Sequence, residues 1–178
     1  WDYLNKRKIP QVLVATGDAY WGQCARHKCA ASKTAKPWTL GWQPSYPGEA
    51  KIYAKYILAH KQGAKIGVLY QNDAYGKNYL DGLKAGLGSH KNQIVDAESY
   101  NITDSAQVIG AHVLALRTHG ADTFVIFASP TATIQALVAR TLTGWDSALT
   151  LVNNVSSNRL FELAAGQNGA NLNGIIST

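Results

Sequence analysis

The chain has 178 residues, 46% of them hydrophobic and 16% charged, with a net charge of +6. That is enough for one well-packed domain, or for one domain and part of another. No apolar run approaches the roughly 20 residues of a membrane-spanning helix, and no low-complexity tract or signal peptide is visible. Methionine is absent, and the expectation is a processed mature chain or an excised fragment.

The 17 lysines and arginines are scattered. Only Lys6-Arg7-Lys8 cluster tightly, with a looser group at Arg26, Lys28, Lys33 and Lys36. No helix-turn-helix pattern and no basic stretch interleaved with stacking aromatics occurs, so the charge reads as a solvated surface and no nucleic-acid partner is expected.

In chain order, Gln11 to Ala15 reads as a short strand after a basic turn containing Pro10. Thr16-Gly17-Asp18 follow at its carboxyl end. Residues 22–48 have no clear period. Within them Cys24 and Cys29 flank His27 in a polar loop. The spacing fits no common zinc module, and a short disulfide stapling the loop is expected, which implies an oxidising compartment; two unpaired thiols are the alternative. Trp38, Trp42, Pro44, Tyr46 and Pro47 read as a rigid crossover, with a domain boundary near Trp42 to Pro47.

Beyond it the pattern becomes regular. Ala50, Tyr53, Ala54, Ile57 and Leu58 make one apolar helical face. Strand Lys65–Tyr70 runs into a helix capped by Asp73, with Tyr75, Tyr79, Leu80, Leu83 and Leu87 three or four apart. Gly82 and Gly86 would let that helix approach the sheet. Gln93–Tyr100 alternates in polarity as an edge strand does. Asp104 with Gln107 has the form of a capping box ahead of a face built by Ile109, Gly110, Val113 and Leu116. Thr123–Phe127 is a continuous apolar run, as in a central parallel strand. Ser129-Pro130 supply N-cap and first-turn residues for a helix using Ile134, Leu137, Val138 and Leu142. Leu149–Val152 is another buried strand, followed by a helix with Leu160, Leu163 and Ala164 inward and a last strand at Gly174–Ser177. Strands starting near 65, 93, 123, 149 and 174, each separated by a helix, predict an α/β, doubly wound parallel sheet covered on both faces.

In such sheets ligands bind at the carboxyl ends of the strands. The residues there are Thr16, Gly17 and Asp18; Gln71, Asp73 and Tyr75; Ser129 and Thr131; Asn153 and Asn154. They are hydroxyls, amides, one ring and two carboxylates, with no nucleophile beside a base. The histidines at 27, 60, 90, 112 and 119 fall elsewhere. No Gly-x-Gly-x-x-Gly or Walker A loop occurs, so phosphate cradling and cofactor binding are not expected. Ser129 lacks the glycine elbow of a hydrolase nucleophile and reads as an N-cap. A binding site rather than a catalytic one is expected, with Tyr75 the leading contact.

Several stretches occur together and in order: Ile9-Pro10-Gln11-Val12, Pro37-Trp38-Thr-Leu-Gly-Trp-Gln-Pro-Ser-Tyr46, Tyr53-Ala-Lys-Tyr-Ile57, Lys65-Ile-Gly-Val-Leu-Tyr-Gln-Asn-Asp73, Tyr75-Gly76, Gly82-Leu-Lys-Ala-Gly-Leu87 and Gly174-Ile-Ile176. In combination they resemble the leucine/isoleucine/valine-binding-protein family, the solute-binding receptors of branched-chain amino-acid type ABC transporters. The resemblance implies a periplasmic-binding-protein type I fold with two Rossmann-like (flavodoxin-like) lobes closing on ligand, and no catalysis. It implies residues 1–42 as the last part of a first lobe, 43–47 as a hinge crossover and 48–178 as the second lobe. It further implies a permease partner, a small-molecule ligand and a periplasmic or membrane-anchored extracellular location after removal of a signal peptide. Homodimerisation through an exposed half-cleft is a further expectation.

By the same resemblance Ala15, Thr16 and Gly17 form the first-lobe ligand loop, Tyr75 packs on the ligand, Ser129 to Thr131 form the next contact loop, and Asn154 falls near an acid that holds a ligand ammonium. With an amide there, small carboxylates, amides or aromatic acids are the expected ligands. The alternatives are the sensor domain of an amide- or urea-responsive regulator that reuses the fold, and an enzyme on a flavodoxin-like domain with bound flavin.

Overall fold

The computed structural model describes residues 1–18, 36–156 and 158–178. Cys24, Cys29 and the disulfide expected between them lie outside the described residues. The chain opens with a short helix α1 (Asp2–Lys6) and strand β1 (Gln11–Val14), which pairs in parallel with β2 (Thr39–Gly41). Leu13 is the extra residue of a bulge between Val12 and Val14, with a left-handed φ of 59°. The sequence reading placed a crossover where β2 lies; β1 therefore has a partner strand.

Ser45 starts helix α2 (Tyr46–His60) by accepting the Gly48 N–H at 3.2 Å. From there β3 (Ile66–Gln71), α3 (Ala74–Leu87), β4 (Ile94–Tyr100), α4 (Ala106–Thr118), β5 (Thr123–Phe127), α5 (Pro130–Leu142), β6 (Leu149–Val152), α6 (Arg159–Gln167) and β7 (Ile175–Ile176) alternate. The five strands of this second sheet are parallel in the order β4-β3-β5-β6-β7. β4 is an edge and β5 the centre, as polarity and continuous apolarity require. The sheet's two faces bury separate cores. Leu69, Phe124 and Ile126 pack with Ile109, Val113, Leu116 and Leu137 under α4 and α5. Ile66, Val68, Val125 and Phe127 pack with Tyr53, Ile57, Tyr79 and Leu83 under α2 and α3. Each such side chain contributes about 1.5–3 kcal/mol by leaving water.

Three local expectations differ from the structure. Ser105, not Asp104, caps α4; it accepts the Val108 N–H, while Asp104 closes a turn by accepting the Asn101 N–H at 2.7 Å. On α6 it is Ala165 that is buried, and Leu163 is 53% exposed. Gly82 and Gly86 admit α2 rather than the sheet: a Cβ at Gly82 would lie 2.5 Å from Pro47 Cα, and one at Gly86 2.6 Å from Ala54 Cβ. Gly82→Ala should therefore lower stability by about 1–3 kcal/mol, although alanine gains about 1 kcal/mol in helix propensity. Urea unfolding measures this, and a stabilised variant would show that α2 and α3 can separate freely. Among the described residues no helix is long and apolar enough to cross a membrane.

Candidate functional site

Parallel strands present their last backbone groups and the following loops along one edge, and most of the expected residues gather there. Asp73 caps α3 by accepting the Gly76 N–H at 3.2 Å, which points Tyr75 in the first turn back over the ends of β3 and β5. The Tyr75 hydroxyl donates to the Ala128 carbonyl at 3.0 Å and accepts from the Asn153 amide. Asn153 Nδ2 also reaches the Ala128 carbonyl at 3.2 Å, and Ser156 Oγ donates to it at 2.9 Å. Thr133 Oγ1 adds a fourth contact at 3.3 Å, so one carbonyl oxygen collects donors from four side chains with two lone pairs to offer. The Asn153 Oδ1 atom is buried without a partner.

Burial, then the neighbouring Tyr100, Tyr46 and Glu49, push the Tyr75 phenol above its ordinary range, so it stays a proton donor at any physiological pH.

A second chain of bonds reaches Ser129. Gln71 Nε2 donates to Asp73 Oδ2 at 2.6 Å, and the Tyr100 hydroxyl donates to Gln71 Oε1 at 2.9 Å. Tyr100 in turn accepts the Ser129 N–H at 3.0 Å and lies 3.2 Å from Ser129 Oγ. Ser129 is the N-cap of α5 by position, but its hydroxyl faces Tyr100 instead of the helix. Thr131, two residues further, is exposed.

The loop after β1 meets this edge through Tyr46. The Tyr46 N–H donates to the Gly17 carbonyl at 2.8 Å, and its hydroxyl lies 3.2 Å from Thr16 Oγ1. The Tyr46 ring meets Tyr75 edge-on at 4.9 Å and stacks on Tyr79 at 4.8 Å. Gly17 is buried, and a Cβ there would lie 2.2 Å from the Pro44 carbonyl oxygen. Ala15 is exposed beside it. Thr16, Gly17 and Tyr75 are thereby brought together, Ser129 is linked through Tyr100, and Asn154 enters through its backbone: its N–H donates to Glu49 Oε1 at 2.7 Å.

Sequence reasoning missed Tyr46 and Tyr100 as connectors, and it missed Glu49 altogether. Of the two asparagines after β6, Asn153 carries the side chain that reaches Tyr75. Among the described residues no group of His, Cys, Asp and Glu could hold a metal ion. An apolar groove of about 350 Å³ between α4 and α5, lined by Ile134, Val138 and Leu142, contains none of these residues.

No curated protein matches the sequence significantly. Solved structures do match its fold. A substrate-binding periplasmic protein from Ralstonia solanacearum is 23% identical, with a TM-score of 0.74 over 93% of this chain and 42% of that one. A branched-chain amino acid ABC transporter protein from Thermus thermophilus with bound valine is 14% identical, with a TM-score of 0.72 over 93% and 40%. A fatty acid ABC transporter substrate-binding protein from Thermomonospora curvata is 16% identical, with a TM-score of 0.71 over 99% and 41%. The chain therefore spans less than half the length of each. Its sequence matches the profile of the periplasmic binding proteins over residues 2–178, and the chain belongs to that family.

Proposed function

We propose that this chain is a part, made up mostly of the second lobe, of an extracytoplasmic solute-binding receptor of a branched-chain amino-acid type ABC transporter, which delivers its ligand to a permease. The observation that carries the reading is the gathering of Tyr75, Ser129, Asn153 and Asn154 at the ends of β3, β5 and β6, with Tyr46 stitching the 15–17 loop to the same edge. Residues 48–178 would be one lobe, 43–47 a hinge, and 1–42 part of the other lobe. The exposed apolar side chains of Val12, Leu13, Trp38, Leu40 and Trp42 around β1 and β2 support that division, since such a surface calls for a covering layer. Lobe closure would couple occupancy to transport.

What this edge offers supports a ligand class. The Asp73 carboxylate is spent on the α3 cap and Gln71, and Glu49 is spent on internal donors. Meanwhile Tyr75, Asn153 and Ser156 crowd one carbonyl with more donors than it can hold. A ligand presenting a carboxylate or amide oxygen satisfies the surplus, whereas an α-ammonium finds an amide at Asn154.

Calorimetric titration of the full-length protein with L-valine, L-leucine, benzoate and butyramide tests this. The expected result is that benzoate or butyramide binds at least tenfold more tightly than either amino acid, and that Tyr75→Phe weakens that binding about tenfold, as loss of one buried hydrogen bond does. Preference for the amino acids would overturn the ligand class. No binding by any of the four would overturn the receptor reading.

A further inference from the structure

We propose that Glu49 is a positioning residue of the ligand cleft, fixing the 153–156 loop through the Asn154 amide; this rests on the receptor reading above. Glu49 is 2% exposed. Among the described residues no basic side chain pairs with it. Its carboxylate is met instead by the Tyr53 hydroxyl at 2.7 Å and the Asn154 N–H at 2.7 Å, both on Oε1, and by the Tyr79 hydroxyl at 2.6 Å on Oε2. A carboxylate taken out of water with no counter-ion is costly, and an apolar residue of the same size would fill the space at less cost. Stability alone therefore gives this residue little reason to be acidic.

Position gives a better one. Glu49 lies one turn after Tyr46, which holds Thr16 and Gly17. Tyr53 shares its single hydrogen between Glu49 and the Val152 carbonyl 2.8 Å away, and its oxygen lies 3.3 Å from Thr178 Oγ1. The Asn154 N–H fixes the backbone next to Asn153, whose amide reaches Tyr75. One carboxylate thus registers the start of α2, the end of β6 and the segment after β7 against one another. If that hold is released, the loop carrying Asn153 loses its reference to Tyr75 even though the sheet stays intact.

The test uses the full-length protein with Glu49→Gln, Glu49→Leu, and Glu49→Leu combined with Tyr79→Phe. The double variant leaves no buried phenol unpaired at position 79, so it removes the main folding penalty while still freeing the Asn154 amide. Hydrogen exchange, which needs no ligand, compares residues 153–156 with β5. In the double variant, exchange at Asn154 should rise at least tenfold relative to β5. Affinity for benzoate or L-valine, whichever the unaltered protein binds, should fall about tenfold. Glu49→Gln should keep both within about threefold, because its amide oxygen still accepts the Asn154 N–H and its NH2 donates to the Tyr79 oxygen. Unchanged exchange at Asn154, an equal rise in β5, or faster exchange with unaltered affinity would each overturn the positioning role. Should the unaltered protein bind neither compound, the receptor reading is what loses support, and the exchange comparison still decides the role of Glu49.

Discussion

Arg140→Ala is expected to destabilise the protein by about 3–5 kcal/mol, the usual range for breaking a buried charged network. Arg140 is 1% exposed, on the α5 face that packs on the sheet. Its guanidinium donates to Thr150 Oγ1 and to the Asn171 carbonyl, both at 2.7 Å, and meets Asp146 at 3.1 Å. These partners sit at the start of β6, in the segment leading to β7, and in the turn after α5. Thr141 reinforces the knot by donating to Asp146 and accepting the Asn171 N–H at 2.9 Å. Burial lowers the guanidinium pKa and Asp146 raises it in part, yet a side chain of this type stays charged. Alanine would leave a cavity, an unpaired Asn171 carbonyl and an Asp146 with a weaker partner. For a chain of this length the loss corresponds to roughly 6–20 °C in Tm.

The control is Arg140→Met, which fills the same volume without the charge. A buried ion pair replaced by apolar volume is often close to neutral, so Met should recover most of the loss. If Ala and Met are equally damaging, the hydrogen bonds to Thr150 and Asn171 hold more than the packing does. If Ala costs less than about 1 kcal/mol, the 168–174 segment is anchored by something other than Arg140.

Much of this fold is legible in the sequence because its strands and helices are long enough to show a period. The apolar runs at 66–71, 123–127 and 149–152 have few other uses in a protein of this composition, and helices between them force parallel pairing. The elements that escape are the short ones. α1 has five residues and β2 three, less than two periods of their own patterns, and β2 is recognisable only from its register with β1. The α4 cap was misplaced by one residue because Asp104 and Ser105 are both good caps, and the turn that Asp104 closes is a tertiary choice.

The site divides in the same way. That Tyr75, Ser129 and Asn154 lie at one edge follows from topology, since every strand of a parallel sheet ends on the same side, whereas Thr16 follows β1 of the two-stranded sheet and is tied to that edge by Tyr46. What connects them does not follow. Glu49 finds its partners four, 30 and 105 residues away. In sequence it is an acid in the first turn of a helix, where the helix dipole favours one at the surface. Tyr46 looked like a crossover aromatic, and only the fold puts its ring against Tyr75 and its hydroxyl near Thr16. Gly17 shows the limit most clearly. In sequence it is one residue of a ligand loop, whereas in the fold its lack of a side chain is a requirement of packing.

That requirement leads to the prediction with the largest effect on binding. Gly17→Ala should weaken ligand affinity on the order of a hundredfold. Its new methyl would sit 2.2 Å from the Pro44 carbonyl oxygen and 2.7 Å from the Tyr46 ring, so either the 15–17 loop or the start of α2 must move. Pro44 and Tyr46 stand at the point where the chain enters α2, and Ser45 is fixed there by its cap. The loop is therefore the part that yields. Moving it breaks the Tyr46 N–H to Gly17 carbonyl bond of 2.8 Å and withdraws Thr16 from the Tyr46 hydroxyl. Two hydrogen bonds at about 0.5–1.5 kcal/mol each, with some loss of preorganisation, give roughly 2–3 kcal/mol, which is the stated change in affinity. The comparison is Thr16→Val, which removes the hydroxyl that lies near Tyr46 and accepts the Asp18 N–H at 3.2 Å but adds no bulk at Gly17, and it should cost no more than about tenfold. Titration of the full-length protein with its tightest-binding small acid or amide measures both. If Gly17→Ala binds as tightly as the unaltered protein, this loop does not touch the ligand, and the cleft must draw its opposite wall from other residues.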